Sequence, residues 1–112
     1  MSECLFCRIA RQEIPAKIVH QDGNCIAFRD INPQAPTHIL IVPLRHIEKA
    51  AELTEGDRGL VGHLHWVAGE LAKKEKLADY RLVLNNGTGA GQSVWHLHLH
   101  LLGGRKFSWP PG

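Results

Sequence analysis

The sequence predicts an α+β fold: a five-stranded, mostly antiparallel sheet with one short and one long helix. Three stretches carry that expectation. Thr54–Lys76 repeats its apolar residues at helical spacing, His38–Val42 is an almost unbroken apolar, β-branched run, and Trp95–Leu101 alternates strictly. The resulting order is helix, three strands, long helix, two strands, which suits a layered α+β domain rather than a parallel βαβ array. A chain of 112 residues fits one hydrophobic core. We therefore treat 1–112 as a single domain, with 105–112 as a C-terminal tail.

Taken in order, Cys4–Arg11 reads as a short helix that ends before Ile14-Pro15. Ile18–His20 and Cys25–Arg29 read as strands around Gln21-Asp22-Gly23-Asn24, where Asp-Gly is a hairpin signal. Asp30–Pro36 is a loop by its prolines and short polar residues. His38–Val42, stopped by Pro43, is a buried central strand. In the long helix, Thr54 and Asp57 have the spacing of a capping box. Leu60, Leu64, Val67 and Leu71 form the apolar stripe, widened by Val61, Ala68 and Ala72. The lysines at 73, 74 and 76 suit the negative end of the helix dipole, while His63 and His65 read as solvated or boundary residues. Arg81–Asn85 is a strand, Asn86–Gln92 a glycine-rich loop, and Val94–Leu102 the last strand. Cys25 reads as plain core, His20 and His46 as a strand end and a loop.

Composition excludes several classes. With 44% hydrophobic and 21% charged residues, the chain is not a disordered one. A net charge of +2, scattered along the chain, argues against specific nucleic-acid binding. No apolar run approaches the ~20 residues of a membrane span. Met1-Ser2-Glu3-Cys4 resembles neither a secretory nor a transit signal, so a cytoplasmic protein is expected. Three cysteines cannot all pair within one chain, which also weighs against a secreted disulfide scaffold.

Histidine is the residue out of proportion: eight in all, three of them between His96 and His100. In a strand, the alternation puts His96, His98 and His100 on one face and Leu97, Leu99 and Leu101 on the other. Three imidazoles on one face are hard to explain as packing, since each buried ring needs its own hydrogen bonds. Two chemistries compete. One is a metal site, although His96 and His100 would start roughly 13–14 Å apart at Cα, so only neighbours could share an ion. The other is phosphoryl transfer, with a neutral imidazole as nucleophile and its neighbours moving protons. The loop Gly87–Gly91 beside the histidines would favour anions by offering backbone N–H groups, with Gln92 and Ser93 next to the first ring.

The segment from Gln92 through Trp95-His96-Leu97-His98-Leu99-His100-Leu101-Leu102 to Gly103-Gly104-Arg105 resembles the signature of the histidine triad family. Its nucleotide-binding (Hint) branch is the most similar, and Phe28–His38 and Trp109-Pro110-Pro111-Gly112 resemble further segments of that branch. The likeness runs from about Cys4 to Gly112. It implies a purine nucleoside 5′-phosphoramidate hydrolase acting on AMP- or GMP-amine substrates without a catalytic metal. His98 would attack phosphorus and form a nucleotidyl-histidine. His100 and His38 would complete the histidine set, His100 binding phosphate oxygens and helping the leaving amine gain its proton, and His96 would support ring orientation and tautomer. Asp30 would hold the ribose hydroxyls, with Asn85, Gln92 and Ser93 on the phosphate and leaving-group side. The resemblance also implies a homodimer whose sheet continues across both subunits, each tail placing Trp109 against the partner's site.

Some members of the family carry a structural zinc on a set like Cys4, Cys7, His46 and His96. Spacing alone leaves that set open between zinc, free thiols and a redox pair, the last disfavoured because no thioredoxin-like pattern surrounds it. Two other functions stand beside the phosphoramidase. A dinucleoside polyphosphate hydrolase belongs to a neighbouring branch, against which Gly103-Gly104-Arg105 and the tail argue. A nucleotide-binding interaction protein is the non-enzymatic reading, against which the intact triad argues.

Overall fold

The computed structural model describes residues 4–112; Met1–Glu3, on which the expectation of no leader rests, lie outside the described residues. Helix α1 spans Leu5–Ala10 and α2 Arg58–Lys74. Strands β1 (Ile18–Gln21), β2 (Cys25–Arg29), β3 (Thr37–Pro43), β4 (Tyr80–Val83) and β5 (Leu99–Gly103) form one sheet in the order β1-β2-β3-β5-β4. Every neighbouring pair is antiparallel, as the hairpin signal and strand order required. None of the described helices is long and apolar enough to cross a membrane.

Alternation divides the side chains of the sheet between two cores. Cys25 and Ala27 of β2, Ile39 and Ile41 of β3, and Leu97, Leu99 and Leu101 pack under α2, which contributes Leu64, Val67, Ala68, Leu71 and Ala72. Burying each of those leucines is worth about 1.5–3 kcal/mol, enough to outweigh the glycines at 59, 62 and 69 within the helix. On the other face Ile26, Phe28, Leu40 and Val42 pack against Phe6 and Ile9 of α1. The whole of β3 is therefore buried. Cys25 is core, as expected, and burial pushes its thiol up to about 12.

Several boundaries differ from the sequence reading, the largest differences being at the start of the long helix and of the last strand. The long helix begins at Arg58, after a 3-10 turn at Glu55–Asp57. Within that start, the Asp57 carboxylate accepts from the Thr54 N–H and hydroxyl and pairs with Arg45. Strand β4 is shifted one residue earlier and stops at Val83 rather than Asn85. The last strand begins at Leu99, not Val94. Its ladder with β3 ends at Ile41–Leu99 because, just beyond, Pro43 has no N–H and its carbonyl is taken by the His96 ring at 2.8 Å. Leu97 N–H instead donates to Ile47 O. The alternation nevertheless persists through this irregular stretch, with Leu97 in the α2 core and the histidines opposite.

Candidate functional site

A cavity of about 460 Å³ opens on the α1 side of the sheet. Its apolar wall is Phe6 and Ile9 from α1, Ile14, Phe28 and Ile31, and its polar end is His38, His98, His100, Asn85 and Ser93. Asp30 stands at the end of β2, where the loop to β3 begins. Antiparallel pairing brings His38 and His100 together: Leu40 faces His100 across the ladder, and the His38 and His100 rings lie with centroids 5.1 Å apart. The His98 and His100 rings are 4.9 Å apart. Phe6 meets His98 edge to face at 5.1 Å.

Hydrogen bonds assign the tautomer of each ring. His98 Nδ1 lies 2.7 Å from the His96 carbonyl, so Nδ1 carries the proton and Nε2 keeps its lone pair. Gln34 N–H donates to His38 Nδ1 at 3.0 Å, so the proton of neutral His38 is on Nε2. That Nε2–H donates to His100 Nδ1 at 2.9 Å, which leaves the His100 proton on Nε2. His96 Nε2–H donates to Pro43 O, and its Nδ1 lone pair faces the cysteines. The triad thus presents one ring ready to attack and another ready to donate, from a backbone that leaves neither choice free.

Burial pushes His96 and His100 down to about 4, and lowers His98 and, against the pull of Asp30, His38. These rings are neutral at neutral pH. For a base whose folded pKa is depressed, stability is full above the unfolded value near 6.5 and is lost as pH falls toward the folded one. His100, faced by His38, His98 and Asp30, should therefore make urea unfolding easier at about pH 4.5 than at about pH 7.5, by on the order of 2 kcal/mol. The loss should shrink in His100→Asn; an equal loss in both proteins would refute this account.

Cys4, Cys7, His46 and His96 converge at the start of α1, with their donor atoms all within 4.8 Å of one another. Cys4 Sγ lies 3.3 Å from His96 Nδ1, Cys7 Sγ 3.4 Å from His46 Nδ1 and 3.5 Å from His96 Nδ1, and the two Nδ1 atoms are 3.2 Å apart. The edges of a tetrahedral zinc site are about 3.3–3.8 Å, given bonds of ~2.0–2.3 Å. Two thiols and two imidazoles at these distances fit zinc, and the Pro43 carbonyl, which accepts from His96 Nε2–H, orients that ring with its Nδ1 toward the other three donors. Asp30, His38 and His100 form another group with donor atoms within 4.8 Å.

Other expected residues are placed differently. Gln92 is buried: its Nε2 donates to the Glu48 and Val94 carbonyls and its Oε1 accepts from Gly87 N–H, so it braces the glycine-rich loop from behind. That loop does not offer the row of N–H groups expected of it. Those of Ala90, Gly91 and Gln92 close the loop on Gly87 and Thr88 carbonyls, leaving Asn85, Gly91 and Ser93 to line the cavity. Trp109, expected against a partner's site, is 83% exposed on its own chain. His20 and His63 are not merely solvated: both Nε2 atoms reach Asp22 Oδ2, at 2.7 and 2.8 Å, pinning the hairpin to α2. Although burial opposes it, these bonds and the Asn24 and Cys25 N–H groups hold the Asp22 carboxyl well below its ordinary range. The apolar wall was missed in the sequence, though Phe6 and Ile9, three residues apart on α1, carry a faint signal of a buried helix face.

Residues 3–108 match the family described as scavenger mRNA decapping enzyme C-term binding. A HIT-like protein of Synechocystis, described as uncharacterized, is 50% identical over 98% of this chain and 97% of its own length. The crystal structure of a HIT family hydrolase from Legionella pneumophila superposes with a TM-score of 0.96 at 52% identity, covering 98% of this chain and all of that one (100%). A histidine triad nucleotide-binding protein from Candida albicans is further away, with a TM-score of 0.81 and 30% identity over 96% of this chain and 83% of that one. With three histidines in alternation on the same sheet and relatives matched end to end, the chain belongs to the histidine triad superfamily.

Proposed function

We propose that this protein is a hydrolase of the Hint type, which cleaves purine nucleoside 5′-phosphoramidates to a nucleoside monophosphate and an amine. The observation that carries the reading is the opposed tautomers of His98 and His100 at one end of a cavity whose other end is apolar. A purine fits the wall of Phe6, Ile9, Ile14, Phe28 and Ile31, Asp30 takes the ribose hydroxyls, and the phosphate meets the histidines with Asn85 and Ser93 beside it.

In the first step His98 Nε2 attacks phosphorus, the P–N bond breaks and its electron pair leaves with nitrogen. The proton that nitrogen needs enters with the anionic substrate, whose charge favours an imidazolium at His100. Asp30 Oδ2, 3.5 Å from His38 Nε2, takes over the His38 N–H when His100 Nδ1 gains that proton. His100 then hands a proton to the departing amine. The nucleotidyl-histidine keeps Nδ1–H on the His96 carbonyl and so remains a cationic, good leaving group. Water attacks phosphorus in the second step, its proton returns to the His38–His100 pair, and His98 and the monophosphate are released.

Cys4, Cys7, His46 and His96 would hold a zinc ion with a structural role, tying α1 to the segment that carries the triad. We further propose a homodimer through the open edge of β4, which would continue the sheet and bring Trp109 to the partner's cavity.

The test is steady-state hydrolysis of an adenosine 5′-phosphoramidate and of a diadenosine polyphosphate, each with and without brief EDTA treatment. We expect chelator-insensitive amine release, preferred at least about a hundredfold over dinucleotide cleavage. Preference for the dinucleotide would make the protein a polyphosphate hydrolase, and AMP binding without turnover a nucleotide-binding interaction protein. Chelator-sensitive turnover would point to a catalytic ion on Asp30, His38 and His100.

A further inference from the structure

The tautomer of His38, and through it that of His100, depends on a single backbone N–H, that of Gln34. Gln34 lies in the loop between β2 and β3, among Pro33, Ala35 and Pro36, and its side chain donates only to the neighbouring Asn32 carbonyl. Besides its own N–H on His38, Gln34 is tied to the domain by Arg105, whose Nε donates to the Gln34 carbonyl at 2.9 Å.

Arg105 is itself built in. Its Nη1 donates to Lys106 O at 3.0 Å, and its guanidinium lies over the Phe107 ring, 4.2 Å from the centroid. Arg81 of β4 approaches the same ring at 5.0 Å and bonds Ser108 O at 2.9 Å. The chain reaches this point through Gly104, at φ +92, where a Cβ would come within 2.9 Å of Pro36. Only glycine lets the end of β5 pass that close beneath the loop and deliver Arg105 to Gln34.

We propose that Arg105 is a positioning residue for proton donation: by clamping the Gln34 carbonyl it keeps the Gln34 N–H on His38 Nδ1, and so keeps His38 Nε2 a donor, which leaves protonated His100 without an acceptor at Nδ1 and ready to give up its Nε2 proton. The proposal rests on the phosphoramidase reading for what that proton does. Arg105 lines neither end of the cavity that holds the triad and touches no reacting atom. If the clamp is released, His38 can take its proton on Nδ1, and its Nε2 then accepts from the His100 Nδ1–H, which holds the imidazolium more tightly and makes it a weaker acid toward the leaving group.

The consequence depends on the leaving group. A basic alkylamine cannot depart without a proton, whereas fluoride leaves phosphorus with little assistance. In Arg105→Ala we expect kcat for an adenosine 5′-alkylphosphoramidate to fall about tenfold, with KM within about twofold. Turnover of adenosine 5′-phosphorofluoridate should be unchanged. Arg105→Lys, which can restore one donor but not the stacked fork, should recover part of the loss. Independently of turnover, ¹⁵N spectra of the histidine rings should show His38 shifting from a pure Nε2–H tautomer to a mixture in Arg105→Ala.

Equal losses on both substrates, or a His38 spectrum identical in wild type and Arg105→Ala, would overturn the role of Arg105. A wild-type protein that releases no amine while its ring spectra show the expected Arg105 dependence would overturn the phosphoramidase reading instead. The ring spectra therefore separate the two failures.

Discussion

His98→Ala should bind AMP with wild-type affinity and release amine from adenosine 5′-phosphoramidate at least about 10⁴-fold more slowly than the wild type. Two features of the site set the size of this effect. The His98 Nδ1–H is spent on the His96 carbonyl, so its Nε2 lone pair is the nucleophile, and neither neighbouring ring can substitute: His100 Nδ1 accepts from His38 and His96 faces the cysteines. Binding should survive because the apolar wall and Asp30 do not depend on the ring. Phe6 does touch it, edge to face at 5.1 Å, so a small loosening of α1 is the only structural cost expected. Single-turnover amine release and calorimetric AMP binding on the same preparation make the comparison. Near-normal release in the variant would remove His98 from the nucleophile's role, and lost binding would mean that the substitution disturbs the cavity itself.

The second large effect concerns the four ligands at the start of α1. Protein purified without chelator or added metal should carry one zinc per chain, and the Cys4→Ser/Cys7→Ser double variant none. At free zinc about a thousandfold above its dissociation constant, binding to the folded state alone contributes about 4 kcal/mol of stability. The variant should lose most of that, read as a lower urea midpoint, while keeping measurable turnover. Helix α1 has six residues and its N-cap side chain, Cys4, does not cap the helix N–H groups, so little besides Phe6, Ile9 and these two cysteines holds it to the sheet. Elemental analysis gives the answer directly: substoichiometric zinc in the wild type, or unchanged stability in the double variant, would refute the structural role.

Much of the fold could be read in the residues, and the reasons are specific. Strand β3 is apolar on both faces because it is central, and Asp22-Gly23 closes the β1–β2 hairpin through Asp22 Oδ1, which accepts from Asn24 and Cys25 N–H. The stripe on α2 appears in the core at Leu64, Val67, Ala68, Leu71 and Ala72, while Leu60 and Val61, in its first turn, are only half-buried. What local pattern could not provide was where pairing stops. Alternation from Trp95 onward promised a strand from Val94, yet alternation describes which way side chains point, not whether the backbone finds a partner. The partner ran out at Pro43, and an imidazole took the last carbonyl.

The same division holds in the site. Side-chain type and two-residue spacing alone placed His96, His98 and His100 on one face, because a strand's period admits no other arrangement. Their roles come from the groups the fold sets against each ring, some near in the chain, as the His96 carbonyl is for His98, and some far, as Pro43 O is for His96 and the His38 ring, held by the Gln34 N–H and the clamp of Arg105 on Gln34, is for His100. A neutral imidazole has two equivalent choices of nitrogen, and only an external hydrogen bond decides between them. Gln92 shows the converse. Its position beside the triad suggested contact with phosphate, but the fold surrounds its amide with the backbone of Gly87, Glu48 and Val94 and turns it into a brace. The sequence by itself determined which groups can do chemistry and which face they share, since both follow from covalent structure and periodicity. Tertiary structure decided which nitrogen carries the proton, because that depends on the conformation that sets a partner against each ring, and for His100 that partner is His38, 62 residues away in the chain.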